Sequence, residues 1–327
     1  MSQPPGVRHL TKTLHRSQYA AIDPANPANS AAGKIVLVTS GASGIGYAIA
    51  RGFAFAGAST VILLARRAEI LTEAAAKLRG EARPNTEVWT YQLDIRDKDA
   101  TEGVFASIRT RLNQGKGEGV KQEERDVDVL VASAAVFAPH DVSVDYAPDA
   151  IRASFETNVV GNMNVVRAFL APEAPAIPLH IPTRAPKDTS GSRAPGREKI
   201  ILDVSSIVTF FTVPGLSVYG ASKIAFTRLL ANVQAEVDKM EGSRIRVHSF
   251  HPGGVFTPSM QRTGFKEEHV RWDDESLPAG FAVWLASPAA AFLKGRFVLS
   301  AWDVDEMMAM KEKFAEDPDL CRLTLNV

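Results

Sequence analysis

Seven short apolar runs recur along this chain, and stretches with helical periodicity separate them. That alternation constrains the fold more than any other feature. The runs are Ile35–Thr39, Thr60–Leu64, Glu87–Tyr91, Val127–Ala132, Ile200–Val204, Ile245–Phe250 and Arg296–Leu299. Several are apolar without interruption, as expected of strands covered on both faces. Between them, Ile70, Leu71, Ala74, Ala75 and Leu78 make one helical stripe, beside the i,i+4 pair Glu73 and Lys77. Ala225, Phe226, Leu229, Leu230, Val233, Val237 and Met240 make another. Strands that alternate with helices join through right-handed crossovers. The pattern therefore predicts an α/β fold: a doubly wound, parallel, seven-stranded sheet in a single domain.

The regular rhythm begins at Lys34. Residues 1–33 are rich in Pro, Ala, Asn and Ser and have no sustained period, so they read as an N-terminal extension that wraps or trails the domain. The domain is expected over 34–300, with a C-terminal helix and tail over 301–327. Residues 113–126 are polar and glycine-rich and read as an enlarged loop before the fourth strand. Residues 171–198 are proline-rich and read as a surface insertion before the fifth.

The balance of charge excludes several classes. Lys and Arg number 37, Asp and Glu 37, so there is no bulk electrostatic reason to bind nucleic acid or an anionic membrane. No run approaches the ~18–20 apolar residues of a membrane span. The N-terminal residues lack an apolar secretory core. One cysteine, Cys321, excludes an internal disulfide framework. A cytoplasmic location is the expectation. The seven histidines show no metal-ligand spacing such as H-E-x-x-H, so no metal site is expected.

The first strand runs directly into Ser40-Gly41-Ala-Ser43-Gly44-Ile45-Gly46 and then into an apolar helical stretch. Glycines let a backbone approach a pyrophosphate, and the helix N-terminus presents N–H groups and the positive end of its dipole. The second strand ends Ala65-Arg66-Arg67. About twenty residues past such a turn, an acid reads the 2′-hydroxyl of NAD, whereas an arginine accommodates the 2′-phosphate of NADP. Ala65 stands at the acidic position and Arg66 follows, so NADP(H) is the expected cofactor. The same arginines could also simply solvate a helix start.

Tyr219 and Lys223 lie four apart in Tyr219-Gly-Ala-Ser-Lys223, and Ser206 stands thirteen residues before the tyrosine. Residues four apart share a helix face, and the lysine side chain leans back toward the phenol. A cation beside a phenol lowers its pKa and suits it to acid–base work near neutrality. Ser206 closes a strand and can hydrogen-bond the same substrate oxygen. Taken alone, Tyr219 and Lys223 would equally serve as a solvated surface pair.

Ser206, Tyr219 and Lys223 in this order and spacing resemble the active site of the short-chain dehydrogenase/reductase family. The resemblance covers roughly Lys34 to Leu299 and implies a Rossmann fold. The glycine turn resembles the family's T-G-x-x-x-G-x-G, with Ser40 at the first glycine. Serine there is harmless at negative φ and costly at positive φ. Asp94, followed by Ile95, matches the family's adenine-contacting acid. Ala132-Ser133-Ala134-Ala135 replaces the family's N-N-A-G; backbone contacts to the cofactor at Ser133 and Ala134 are implied, without the asparagine bracing. Asn158 matches the asparagine of the catalytic tetrad, which would hold a water linking Lys223 to solvent. Pro252, Gly253, Val255 and Thr257 match the segment that contacts the nicotinamide carboxamide. Residues from about 258 to 276 fall where the family carries a substrate lid, with Met260, Phe265, Val270 and Trp272 suited to an apolar ligand. The ending after Leu299 and the Tyr19-x-x-Ile22-x-Pro24 stretch resemble a subgroup of filamentous fungi.

The resemblance implies an NADP(H)-dependent oxidoreductase that reduces a carbonyl, or oxidises a secondary alcohol, of a small and largely apolar molecule in secondary metabolism. Tyr219 would be the general acid, Lys223 would bind the nicotinamide ribose, and Ser206 would orient the carbonyl. A homodimer or homotetramer through the helices starting near Asn158 and Tyr219 is also implied. Two alternatives share the same residues. One is a non-reductive isomerase, epimerase or dehydratase, in which Tyr219 still moves protons. The other is an NADP(H)-binding sensor without turnover.

Overall fold

A computed structural model of the chain describes residues 9–114, 124–138, 140–171, 197–240 and 242–324. The strands are β1 (Ile35–Thr39), β2 (Thr60–Ala65), β3 (Glu87–Gln92), β4 (Val129–Ala132), β5 (Lys199–Val204), β6 (Ile245–His251) and β7 (Phe297–Leu299). The helices are α1 (Gly44–Phe55), α2 (Ala68–Glu81), α3 (Lys98–Asn113), α4 (Pro148–Phe155), α5 (Asn162–Leu170), α6 (Ser217–Val237), α7 (Pro258–Arg262), α8 (Ser276–Leu285), α9 (Val304–Ala309) and α10 (Lys311–Glu316). All seven expected strands are present. Val127, expected to open the fourth, precedes it, and Arg296, expected to open the last, precedes β7.

The strands form one sheet in the order β3-β2-β1-β4-β5-β6-β7, and every pair is parallel. Every residue of β1, β4 and β5 is buried, which is why those runs carry no polar alternation. One apolar layer packs α1, α2 and α8 on one face, around Val36, Val38, Phe53, Phe281 and Trp284. The other packs α3, α5 and α6, around Leu37, Phe105, Phe169, Phe226 and Leu230. The order reverses between β1 and β4, so the connections leaving their carboxyl ends part in opposite directions. The crevice opens there, as it does at the switch point of any doubly wound sheet.

Buried charges set the strand starts. The Asp128 carboxylate accepts from Ile35 N at 2.8 Å and pairs with Arg197 at 2.8 Å, fixing the foot of β1 against β4. Lys199, fully buried, pairs with Asp126 at 2.7 Å, and Arg109 of α3 reaches the same carboxylate at 3.2 Å. These groups are compensated on both sides, as burial of charge requires.

Residues 9–33 lie along the C-terminal end of the chain. Lys12 N and Thr13 N donate to the Glu306 carboxylate at 2.7 and 3.0 Å. His15 stacks on Tyr19 and meets Asp303 at 2.8 Å. The Tyr19 hydroxyl accepts from Val304 N at 2.8 Å. Ile22 packs so closely on α8 that a Cβ on Gly280 would meet Ile22 O at 2.4 Å. The C-terminal helix expected within 301–327 is two helices: Met310 N bonds back three residues to Met307 O and ends the first. The insertion expected at 171–198 lies outside the described residues over 172–196, and so does most of the polar loop, over 115–123.

His248 of β6 is completely buried, and burial together with the Arg246 charge pushes its pKa down to about 3. It is therefore neutral in the folded protein but titrates normally when unfolded. The folded state binds fewer protons between those two values, so stability is complete above about pH 6.5 and is lost as pH falls toward 3. The expected loss is up to about 1.4 kcal/mol per pH unit from this one group. His248→Gln should flatten the decline in urea midpoint between pH 6.5 and 4; an unchanged slope would mean that other groups govern it.

Candidate active site

The crevice starts from one hydroxyl. Thr39, the last residue of β1, is fully buried, and its Oγ1 accepts from both Ser133 N and Ala134 N at 2.9 Å. It ties the end of β1 to the start of the loop after β4. The chain then turns through Ser40–Ser43 into α1. Ser40 has φ +53°, the left-handed region, so its side chain carries the steric cost that glycine would avoid. Gly41 is pinned beneath: its N–H donates to Leu64 O at 3.1 Å, and a Cβ would meet Val38 O at 2.9 Å. Gly46 must be glycine, because a Cβ would stand 2.5 Å from Ser40 O. The turn and the helix thus approach more closely than any other residue would permit.

Two adjoining chambers flank this turn, of about 140 Å³ and about 170 Å³. The first is walled by Ser40, Ser43, Arg66, Arg67, Asp94, Ile95 and Ala134. The second is walled by Ser40, Ser43, Gly44, Ile45, Gly46, Ser133, Tyr219, Lys223, Pro252 and Thr257. Fifteen of the residues expected from the sequence therefore converge on one crevice. The others act from behind it. Gly253, at φ +93°, lies so close to Asp273 that a Cβ would meet Oδ2 at 2.8 Å. Val255 bridges to Asp273.

Asn158 lies behind the crevice, in a π-turn (Glu156–Gly161) between α4 and α5, and is buried. Its Oδ1 accepts from Val136 N at 2.8 Å, and its Nδ2 donates to Val136 O at 3.0 Å and to Ser222 Oγ at 2.9 Å. Both amide protons are committed within the protein. The side chain thus braces the β4 loop against α6. Asn162 adds a bond from Nδ2 to Ala134 O at 2.9 Å. The bracing missing from Ala132–Ala135 therefore comes from the other side, from Thr39, Asn158 and Asn162.

Tyr219 enters on the first turn of α6, and Ser206 closes the strand β5 and its exit. The Ser206 side chain is close enough to the Tyr219 phenol to lower its pKa. Phe137 stacks on the tyrosine ring at 4.1 Å between centroids. Lys223 is buried and donates to Val204 O at 2.6 Å. Beneath it Asp203 is fully buried; its Oδ2 accepts from Thr227 Oγ1 at 2.8 Å, and its Oδ1 has no hydrogen-bond partner. Burial pushes the Asp203 carboxyl up. Burial pushes the Lys223 ammonium down, and the Asp203 charge opposes that. The Tyr219 phenol is pushed well above its usual value, by burial first and the Asp203 charge second, while the Ser206 side chain lowers it. Four-residue spacing alone implied a lowered phenol pKa. The fold instead draws the ammonium to a backbone carbonyl and places a buried carboxylate below, so the phenol keeps its proton.

Two further devices were not legible beforehand. His251 Nδ1 accepts from Ile207 N at 3.2 Å and holds the turn after Ser206; burial drops its pKa to about 4, which keeps that acceptor lone pair free. The Asp273 carboxylate accepts from Gly254 N at 2.8 Å and pairs with Arg16 of the N-terminal extension at 3.1 Å. Neither has a sequence signal, because each joins residues far apart in the chain. Among the described residues no cluster of His, Cys, Asp and Glu could hold a metal ion.

Asp94 is ion-paired at the chamber wall. Its carboxylate is forked onto the neighbouring Arg96, with Nη2 at 2.6 Å and Nε at 3.0 and 3.1 Å, which holds the carboxyl below its usual range. It reaches the chamber wall as one half of an ion pair.

The chain matches the short chain dehydrogenase family over residues 34–175 and 191–268 and belongs to it. It is 34% identical over 307 residues to a short chain dehydrogenase/reductase of Claviceps purpurea, covering 94% of this chain and 91% of that protein. It is 32% identical over 308 residues to the short chain dehydrogenase/reductase nsrO of Aspergillus novofumigatus, covering 94% and 93%. Its fold is also that of a putative NAD(P)-dependent gluconate 5-dehydrogenase of Beutenbergia cavernae, solved with NADP at low occupancy. The TM-score there is 0.64 at 23% identity, over 86% of this chain and 99% of that one.

Ser40→Gly should raise stability by about 1 kcal/mol, through relief of the left-handed serine partly offset by a freer unfolded chain. A urea-midpoint comparison checks this; a destabilised variant would show that the Ser40 side chain contributes more than its backbone costs. Asp273→Ala frees Gly254 N and unpairs Arg16, and should cost about 1–3 kcal/mol by the same measurement.

Proposed function

We propose that this chain is an NADP(H)-dependent oxidoreductase that interconverts the carbonyl and secondary-alcohol forms of a small, largely apolar molecule. The observation that carries the reading is that Tyr219 and Lys223 line one chamber, with the Ser206 side chain beside the phenol. The glycine turn fits a dinucleotide, since its glycines let the turn pack tightly on the chain around it and α1 begins at the shared wall of the two chambers. Arg66 and Arg67 line the other chamber without an unpaired acid beside them, which supports a 2′-phosphate over a free 2′-hydroxyl. The NADP recorded in the Beutenbergia protein agrees with that choice.

When bound, the nicotinamide supplies or accepts the hydride. Tyr219 donates its proton to the developing alkoxide in the reductive direction. A phenol carries its proton at neutral pH, and burial raises this one further, so it is available as a general acid. Ser206 donates to the same oxygen and orients it, while Phe137 fixes the plane of the tyrosine ring. Lys223 holds the nicotinamide ribose hydroxyls and adds positive charge near the phenol. Asn158 braces the Val136 loop and, through Ser222, the first turns of α6. Phe137, His140, Phe265, Trp272 and Phe256 form a continuous run of ring contacts outward from Tyr219, which supports an apolar substrate. The reading is of a cytoplasmic enzyme working as a homodimer or homotetramer through the helices starting near Asn158 and Tyr219, where Val160 of the π-turn and Ile224 of α6 expose apolar surface.

Calorimetric titration of the wild type should show NADPH binding at least ~10-fold more tightly than NADH, with the difference lost in Arg66→Ala. Equal affinities would overturn the NADP assignment, and binding of neither would overturn the enzyme. Tyr219→Phe should abolish turnover and leave NADPH affinity within about twofold; retained turnover would remove Tyr219 from the mechanism.

A further inference from the structure

Arg262 is the last residue of α7, a segment that the sequence assigns to the substrate side. Its side chain nevertheless lines both chambers of the crevice. It is exposed, and among the described residues it makes no side-chain hydrogen bond or ion pair. The walls shared by the two chambers are Ser40, Ser43, Ala135, Val136 and Arg262. The first two belong to the turn that delivers the N-terminus of α1, and the next two to the loop after β4. Arg262 is the only cation among them, and it comes from a different element.

The placement of α7 follows from local packing. Thr257 Oγ1 accepts from Met260 N at 3.3 Å and caps the helix. The Thr257 methyl would lie 3.3 Å from a Cβ on Gly44, so the start of α7 rests directly on the start of α1. Arg262 follows one turn later. No carboxylate balances it: Asp94 is the one acid on the walls, and it is already forked onto Arg96. An unpaired guanidinium facing a helix N-terminus across a gap leaves two positive ends without an anion between them.

Resting on the dinucleotide-binding reading above, we propose that Arg262 is a cofactor-binding residue that clamps the diphosphate against the N-terminus of α1. A dinucleotide laid along the crevice places adenosine in one chamber and nicotinamide in the other. The diphosphate, which joins them, falls at the shared wall. NADPH and NADH carry the same diphosphate, so Arg262 serves both, whereas Arg66 serves the 2′-phosphate alone. The same short helix presents Met260 to the nicotinamide-side chamber, so the clamp also holds an apolar part of the substrate wall in place.

The test is calorimetric binding of NADPH and of NADH to wild type, Arg262→Ala and Arg262→Lys, at low and high salt, with melting of the ligand-free proteins as control. Arg262→Ala should weaken both dinucleotides by a similar factor, ~10-fold or more at low salt, with less salt dependence and an unchanged ligand-free melting point. Arg262→Lys should recover part of the loss, because it restores the charge without the fork. Unchanged affinity for both dinucleotides would overturn the proposal. A loss confined to NADPH would also overturn it, by placing Arg262 on the 2′-phosphate. If the wild type binds neither dinucleotide, the enzyme reading itself fails, an outcome separate from either of these.

Discussion

The crevice depends on the separation of β1 from β4 beyond their last paired residues, and one buried hydroxyl governs that separation. Thr39 Oγ1 takes two successive backbone N–H groups of the loop after β4. Those amides lie past the end of the ladder, where Ser133 N also reaches Val131 O at 3.2 Å, and an amide left without an acceptor there would cost about 1–3 kcal/mol. Satisfying them from the neighbouring strand holds the loop in place while leaving room for the glycine turn. Asn158 and Asn162 complete the bracing from the opposite side, through Val136 and Ala134. The chambers on either side of the turn exist because these few bonds replace the ladder where it ends.

Electrostatics in the second chamber follow from depth more than from pairwise spacing. Asp203, Lys223 and Tyr219 lie in or against the buried end of β5, where each charge is costly. The carboxylate and the ammonium moderate one another, and the phenol, above both, stays protonated.

The N-terminal extension contributes to the site indirectly. Through Arg16 it meets Asp273, and Asp273 in turn fixes Gly254 beside the Pro252 segment. Through Tyr19, Lys12 and Thr13 it also holds the start of α9. Among the described residues the extension thereby supports a loop that frames the crevice without lining either chamber.

The strand runs, their order along the chain, the glycine turn and the Ser206, Tyr219 and Lys223 positions were all legible in the sequence. Each is a local pattern: hydrophobic period, residue type and short spacing dictate it without reference to distant parts of the chain. The conformation of Ser40, the use of the Asn158 amide, the protonated state of Tyr219, the ion pair of Asp94 and the reach of Arg262 were not. Every one of these depends on which atoms from remote segments arrive nearby, and on how much water they exclude. Spacing can bring a lysine alongside a phenol on a helix. Only the packed sheet decides that the ammonium bonds to Val204 O, that a buried carboxylate lies beneath it, and that the phenol therefore holds its proton.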